Sequence, residues 1–315
     1  MWVKKKGVTM QHILHVPIVD KYSIQLEDDN VRVGASSMQG WRSSMEDAHT
    51  IALELPVIDQ RDCEGLLVTI CDGHAGHKTA HTVAKSIKEW ICSTEEFSEG
   101  EYRSAMIEGY ARGDVALRKG AEPDDVSGAT AVTLMMVGRR LYCANAGDSR
   151  AILCRDGKAW PLSEDHKPTL PVERERIVRA GSFVLNGRVN GILALSRAFG
   201  DFTFKQNDQV PFSQQAVTVM PEVSVTDLQP NDDFVVLACD GLWDCMTSDQ
   251  VVNYVRLELG DHGDCALCCE KLMDRCVSQD GLGIGTDNMT IVIVQLKSQF
   301  IQKLMLPASQ SVFET

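Results

Sequence analysis

The stretch Leu66-Leu67-Val68-Thr69-Ile70-Cys71-Asp72-Gly73-His74 decides how the rest of the chain is read. A short apolar, β-favouring run ends abruptly in an acid, a glycine and a histidine. Such a run fits a strand buried on both faces, delivering a carboxylate and an imidazole to the rim of its sheet. The construction recurs as Phe234-Val235-Val236-Leu237-Ala238-Cys239 followed by Asp240-Gly241. A single strand ending in Asp-Gly is a turn and nothing more. Two of them, with further acids at other strand ends, point to a site where several carboxylates meet.

Upstream of this stretch, residues 31–37 and 48–55 have strand character, with Ile51, Leu53 and Leu55 alternating. Residues 1–30 show no strong periodicity and read as an N-terminal extension with room for a short strand, and residues 59–64 read as loop. Downstream the period changes. Ala80, Val83, Ala84, Ile87, Trp90 and Ile91 fall at helical spacing, so residues 77–92 are expected to form an amphipathic helix, with a second over 101–119. Strands follow at 129–137, 140–146, 151–154 and 158–162. Asp156-Gly157 and Asn186-Gly187 carry the signature of tight hairpins.

A helix over 171–180 closes at Gly181, and 199–221 is loop-rich. Strands at 222–227 and 233–239 lead to Asp240. Thr247-Ser248-Asp249-Gln250 has the form of a capping box, and Asp264 caps a further helix to about Ser278. Asp287-Asn288 precedes a last buried strand. This order lacks strict βαβ alternation, so the expectation is an α+β fold with antiparallel sheets and helices packed outside them.

The formal net charge of −13 argues against nucleic acid as a partner, because phosphate backbones reward basic surfaces. No apolar run approaches the length that spans a bilayer, and the basic start has no following apolar region of a secretory signal. Eleven cysteines at irregular spacing fit reduced, buried thiols in a cytoplasmic or nuclear protein. Cys265, Cys268, Leu272 and Cys276 share one helical face, which favours packing over a metal or redox site.

Glu46 and Asp47 lie just before a strand, Asp72 and Asp240 just after one, Asp148 after residues 141–147, and Asp287 immediately before the last strand. Bunched carboxylates raise one another's pKa unless cations neutralise them. Hard oxygen donors with sparse imidazole select Mg²⁺, Mn²⁺ or Ca²⁺ over Zn²⁺.

Eight motifs then occur in order. They are Gly40-Trp41-Arg42-Ser43-Ser44-Met45-Glu46-Asp47-Ala48-His49, Cys71-Asp72-Gly73-His74-Ala75-Gly76, Ser127-Gly128-Ala129-Thr130-Ala131 and Ala144-Asn145-Ala146-Gly147-Asp148-Ser149-Arg150. After them come Asp165-His166-Lys167-Pro168, the run from Arg188 to Asp201, Ala238-Cys239-Asp240-Gly241-Leu242-Trp243-Asp244 and Gly285-Thr286-Asp287-Asn288-Met289-Thr290. Together they resemble the metal-dependent protein serine/threonine phosphatases of the type 2C (PPM) family. The resemblance covers residues 31–296, with 1–30 as an extension and 297–315 as a tail of one short helix or a disordered end. Ala75 stands where many members have glycine, and Gly181-Ser182 replaces a common Gly-Gly; neither touches an expected ligand.

The resemblance implies a β-sandwich of two antiparallel sheets flanked by helices, in four αββα layers, with a binuclear Mg²⁺ or Mn²⁺ centre at one end. By it Asp72 bridges both metals, Gly73 lends its carbonyl, and Asp240 and Asp287 complete one shell. Glu46 and Asp47 support the centre through metal-bound water. Asp148, with Asp244 as a further candidate, matches residues that hold a weaker third metal in some members. A bridging hydroxide attacks phosphorus in line, Arg42 grips phosphate oxygens, and His74 protonates the leaving seryl or threonyl oxygen. Residues 165–215 resemble the family's flap beside the cleft.

The expected partners are phosphorylated proteins, with no nucleic acid and no membrane, and the expected state is a monomer. Two rivals stand beside this reading. One is a phosphatase-like binding protein without chemistry; the other is an enzyme acting on a small phosphorylated metabolite.

Overall fold

The computed structural model describes residues 13–56, 65–122 and 124–305, without the side chains of 304 and 305. The basic start, the loop at 59–64 and the end of the tail lie outside the described residues. Two antiparallel sheets dominate. One has six strands, in the order Ile13–Glu27, Val31–Arg42, Met289–Leu296, Asp232–Ala238, Arg150–Arg155, Lys158–Pro161. The other has five, in the order Glu222–Asp227, Arg140–Ala146, Ala131–Val137, Gly65–Cys71, Ala48–Ala52.

Strand alternation explains why the run at 66–71 is apolar throughout. Leu66, Val68 and Ile70 point into the core between the sheets, where they meet Val235, Leu237, Val292 and Val294. Leu67 and Cys71 face the opposite way, against Ala80, Val83 and Ile87 of the helix Lys78–Cys92 and Met106 and Tyr110 of the helix Tyr102–Gly120. The second Asp-Gly strand divides likewise. Phe234, Val236 and Ala238 meet Val251, Val252 and Val255 of Ser248–His262 and the cysteine face of Cys265–Cys276. Each central strand is therefore buried on both sides, and the layers are helix, sheet, sheet, helix. Cys265, Cys268, Leu272 and Cys276 are core residues of this outer layer.

The capping box forms as read: the Thr247 side chain accepts from the Gln250 backbone while Gln250 reaches back. Asp156-Gly157 and Asn186-Gly187 adopt the two successive positive φ values, 52° and 70°, and 52° and 74°, that close their hairpins.

Two expectations change, and one element is new. Within residues 1–30 the structure has a 15-residue edge strand, Ile13–Glu27, rather than at most a short one. Register shifts between Ile13 and Lys21 break its alternation, and Val16 and Tyr22 are exposed, so no period marked it. The expected strand at 129–137 divides into Gly128–Ala129, in a separate small sheet, and Ala131–Val137. Asp240 opens a one-turn helix, Asp240–Trp243, which sequence periodicity is too short to reveal. Past Leu296, the helix Ser298–Met305 places Phe300 and Ile301 against the core between the sheets.

Candidate metal centre

Strand ends from both sheets converge on one rim. A cleft of about 260 Å³ there is lined by Arg42, Glu46, Asp72, Gly73, His74, Asp148, Asp240 and Asp287, with Arg188 and Leu193 of the expected flap alongside. Asp47 lies beneath, 5% exposed, accepting a 2.7 Å hydrogen bond from the Thr290 hydroxyl. Asp244 sits one helical turn beyond Asp240, its backbone N–H donating to the Asp240 carbonyl at 2.8 Å.

Close backbone packing explains both Asp-Gly pairs. A Cβ on Gly73 would lie 2.2 Å from the Glu46 carbonyl oxygen, and one on Gly241 would lie 2.2 Å from that of Asn288. Glycine lets the loop bearing Glu46 and the segment bearing Asp287 close over the two aspartates.

The electrostatics show a surplus of negative charge. Burial pushes the Asp72 carboxyl well above the usual carboxylate range, and Asp240, Asp47, Asp287 and Asp148 push it further. Asp240 is raised by burial and then by Asp148, Asp287 and Asp244, and Asp47 is pushed up to about 7, chiefly by burial. Acids from five separate stretches of chain therefore feel one another. Two cations partly offset them: the Arg42 guanidinium pairs with Asp287, and Lys167 with Asp148.

One oxygen each of Asp47 and Asp72 lies within 4.8 Å of the other and of the Cys239 sulfur. The thiol is fully buried and pushed far up by that burial and by both acids, so it stays protonated. A neutral thiol is a poor ligand for a hard cation, whereas the carboxylates and the Gly73 carbonyl suit one. The donor set fits Mg²⁺ or Mn²⁺.

The pattern described as protein phosphatase 2C matches residues 31–281. The chain belongs to the protein phosphatase 2C family. It is thereby a metal-dependent serine/threonine protein phosphatase. It is 43% identical to the protein phosphatase 2C homolog 2 of Schizosaccharomyces pombe, over 90% of this chain and 78% of that one. It is 44% identical to a probable protein phosphatase 2C of Caenorhabditis elegans, over 91% and 80%. The crystal structure of a phosphatase from Toxoplasma gondii superposes with a TM-score of 0.76 at 26% identity, covering 89% of this chain and 96% of that one.

Three further residues of this phosphatase, all within the motifs, shape the site. Asn288 staples the loop to the last strand: its Nδ2 donates to the Gln39 and Ser44 carbonyls at 2.8 and 3.0 Å, and its Oδ1 accepts from the Glu46 N–H at 2.9 Å. Lys167 neutralises Asp148. Asp201 lies 2.7 Å from His74 Nε2. Their only sequence signal was membership of a motif, because each partner is far away along the chain.

Proposed function

We propose that this phosphatase hydrolyses phosphoserine and phosphothreonine in proteins at the cleft between the sheets, with two Mg²⁺ or Mn²⁺ ions held there. One observation carries the reading: Asp72, Asp240 and Asp287 from distant strand ends line one cleft with Asp47 beneath it, and all four carboxyls are raised, chiefly by burial. Asp72, the Gly73 carbonyl, Asp240 and Asp287 would hold the ions, with Glu46 and Asp47 in support. Asp148, with Asp244, would hold a weaker third ion.

When bound, such ions supply charge neutralisation and an activated water. The remaining work falls to the chain. Arg42 lines the cleft and is anchored on Asp287, so its planar fork is aimed where phosphate oxygens would bind. His74 donates a proton to the leaving oxygen. Burial lowers its pKa, but the neighbouring acids, Asp201 first and then Asp148 and Glu46, outweigh this and the net shift is upward.

Arg188 lines the cleft as well as Arg42, a second cation suited to a phosphoryl group, and membership of a family of protein phosphatases favours a protein substrate over a small metabolite. The reading also takes the chain as a cytoplasmic or nuclear monomer, supported by described cysteines that are all unpaired and by a site built from one chain. Among the described residues no helix is long and apolar enough to cross a membrane.

The test is hydrolysis of a phosphothreonine peptide with Mn²⁺, then with chelator, for wild type and Asp240→Asn. Metal-stimulated turnover that collapses in the variant is expected. Well-folded protein without such turnover would overturn the proposal.

A further inference from the structure

We propose that Asp201 is the positioning residue for His74: it holds the imidazole through Nε2 and so fixes Nδ1 as the nitrogen presented to the leaving oxygen. The inference rests on the reading of His74 as proton donor and adds which atom donates and what holds it.

A three-stranded sheet of two-residue strands brings the pair together. His74 is in register with Gly128, and Gly128 with Gly200, so the imidazole and the acid after Gly200 flank a single glycine. His74 and Asp201 are 127 positions apart in sequence, yet Asp201 Oδ2 lies 2.7 Å from His74 Nε2. Asp201 is only 4% exposed, so its carboxylate is withdrawn from solvent. His74 lines the cleft beside Asp72, and among the described residues its Nδ1 has no hydrogen-bond partner. One nitrogen is thus committed to a buried acid while the other is left for the cleft.

Gly128 makes room for the pair. A Cβ there would lie 2.2 Å from Asp201 Oδ2 and 2.4 Å from His74 Nε2, inside both groups. Asp201 itself is held at φ +50°, a left-handed conformation uncommon outside glycine, by its N–H on the Ser127 carbonyl at 3.2 Å.

A carboxylate accepting from one ring nitrogen sets tautomer and ring orientation for the other. As the P–O bond breaks, its electron pair stays on the seryl or threonyl oxygen, which takes the Nδ1 proton. The Nε2 proton stays on the ring, leaving a neutral imidazole that solvent reprotonates.

The experiment compares kcat and KM of Asp201→Ala, Asp201→Asn, Gly128→Ala, His74→Gln and the double variant Asp201→Ala/His74→Gln. Substrates are a phosphothreonine peptide, whose alkoxide leaves poorly, and p-nitrophenyl phosphate, whose phenolate needs little protonation. His74→Gln should lower kcat on the peptide about 100-fold and on the aryl ester far less. Asp201→Ala and Gly128→Ala should each lower peptide kcat about 10-fold or more, with KM and Mn²⁺ affinity near wild type. Asp201→Asn, whose Oδ1 still accepts from Nε2–H, should recover part of the loss. The double variant should lose little beyond His74→Gln, as expected for two residues acting through one group.

Equal losses on both substrates in Asp201→Ala, or additive losses in the double variant, would overturn the positioning role while the proton-donor reading stands. Equal losses on both substrates in His74→Gln would remove that reading, and this inference with it. If Asp201→Ala does not fold, Gly128→Ala and Asp201→Asn carry the same comparison.

Discussion

The carbonyl oxygen of Asn288 occupies the place a side chain on Gly241 would need, 2.2 Å from the position of its Cβ. Asp240 and Asp287 are thereby brought to one rim by a contact between backbones. Gly241→Ala should push the last strand away from the one-turn helix, costing about 1–3 kcal/mol of stability by overpacking. Mn²⁺ affinity should fall about 10-fold or more as the two acids separate. Urea denaturation and Mn²⁺ titration by calorimetry read the two effects separately; a variant with wild-type affinity would show that this contact does not set the ligand spacing.

Metal binding should depend on pH with a definite sign. Without metal, Asp47 is raised to about 7 by burial, and Asp72 and Asp240 are raised as well. Protons on these acids compete with cations, so Mn²⁺ affinity should rise with pH through neutrality and binding should release protons. Titrations in buffers of different ionisation enthalpy measure that release. The same shifts predict that chelated protein loses stability as pH rises from about 4 to about 7, because the unfolded chain gives up these protons first. Saturating Mn²⁺ should abolish that loss, as the Tm at pH 5 and 7.5 would show.

Glu173 ties the helix Pro171–Arg179 to Arg197 and should titrate in the opposite sense. Burial alone would raise its carboxyl, but hydrogen bonds from Arg197 and the charges of Arg176 and Arg197 hold it at about 2. A depressed folded pKa contributes stability that is complete above the unfolded value and lost as pH falls from about 4.5 towards about 2. Wild type should exceed Glu173→Gln by up to about 3 kcal/mol at pH 7, with the gap closing in acid. A constant gap from pH 7 to pH 3 would contradict the assignment.

Lys205 and Asp114 form an ion pair, 1% and 0% exposed, with the Nζ also donating to the Ala198 carbonyl at 2.7 Å. Lys205→Met leaves Asp114 buried without its cation and should cost about 3–5 kcal/mol. Adding Asp114→Asn should recover part of the loss, since a neutral amide keeps the Gly200 N–H satisfied. Denaturation of the two single variants and the double variant closes the cycle.

Much of the layer arrangement was legible because it follows from period. The runs at 66–71 and 234–239 are apolar on both faces, and only a strand between two layers needs that. The edge strand Ile13–Glu27 was not legible, because its bulges and exposed apolar residues erase alternation. Asp201 was hidden for a different reason. Its significance lies in a 2.7 Å contact with His74 across a glycine, and no local pattern encodes a contact between distant strands.

The stretch from Leu66 to His74 by itself determined that a doubly buried strand ends in an acid, a glycine and a histidine at a sheet rim. Local alternation and abrupt change of polarity are properties of neighbouring residues. What only the tertiary structure decided is which groups meet those three: Asp240 and Asp287 near Asp72, the Glu46 carbonyl against Gly73, and Asp201 behind His74. These partners arrive through sheet order and backbone contact, and both come from the packing of the whole chain.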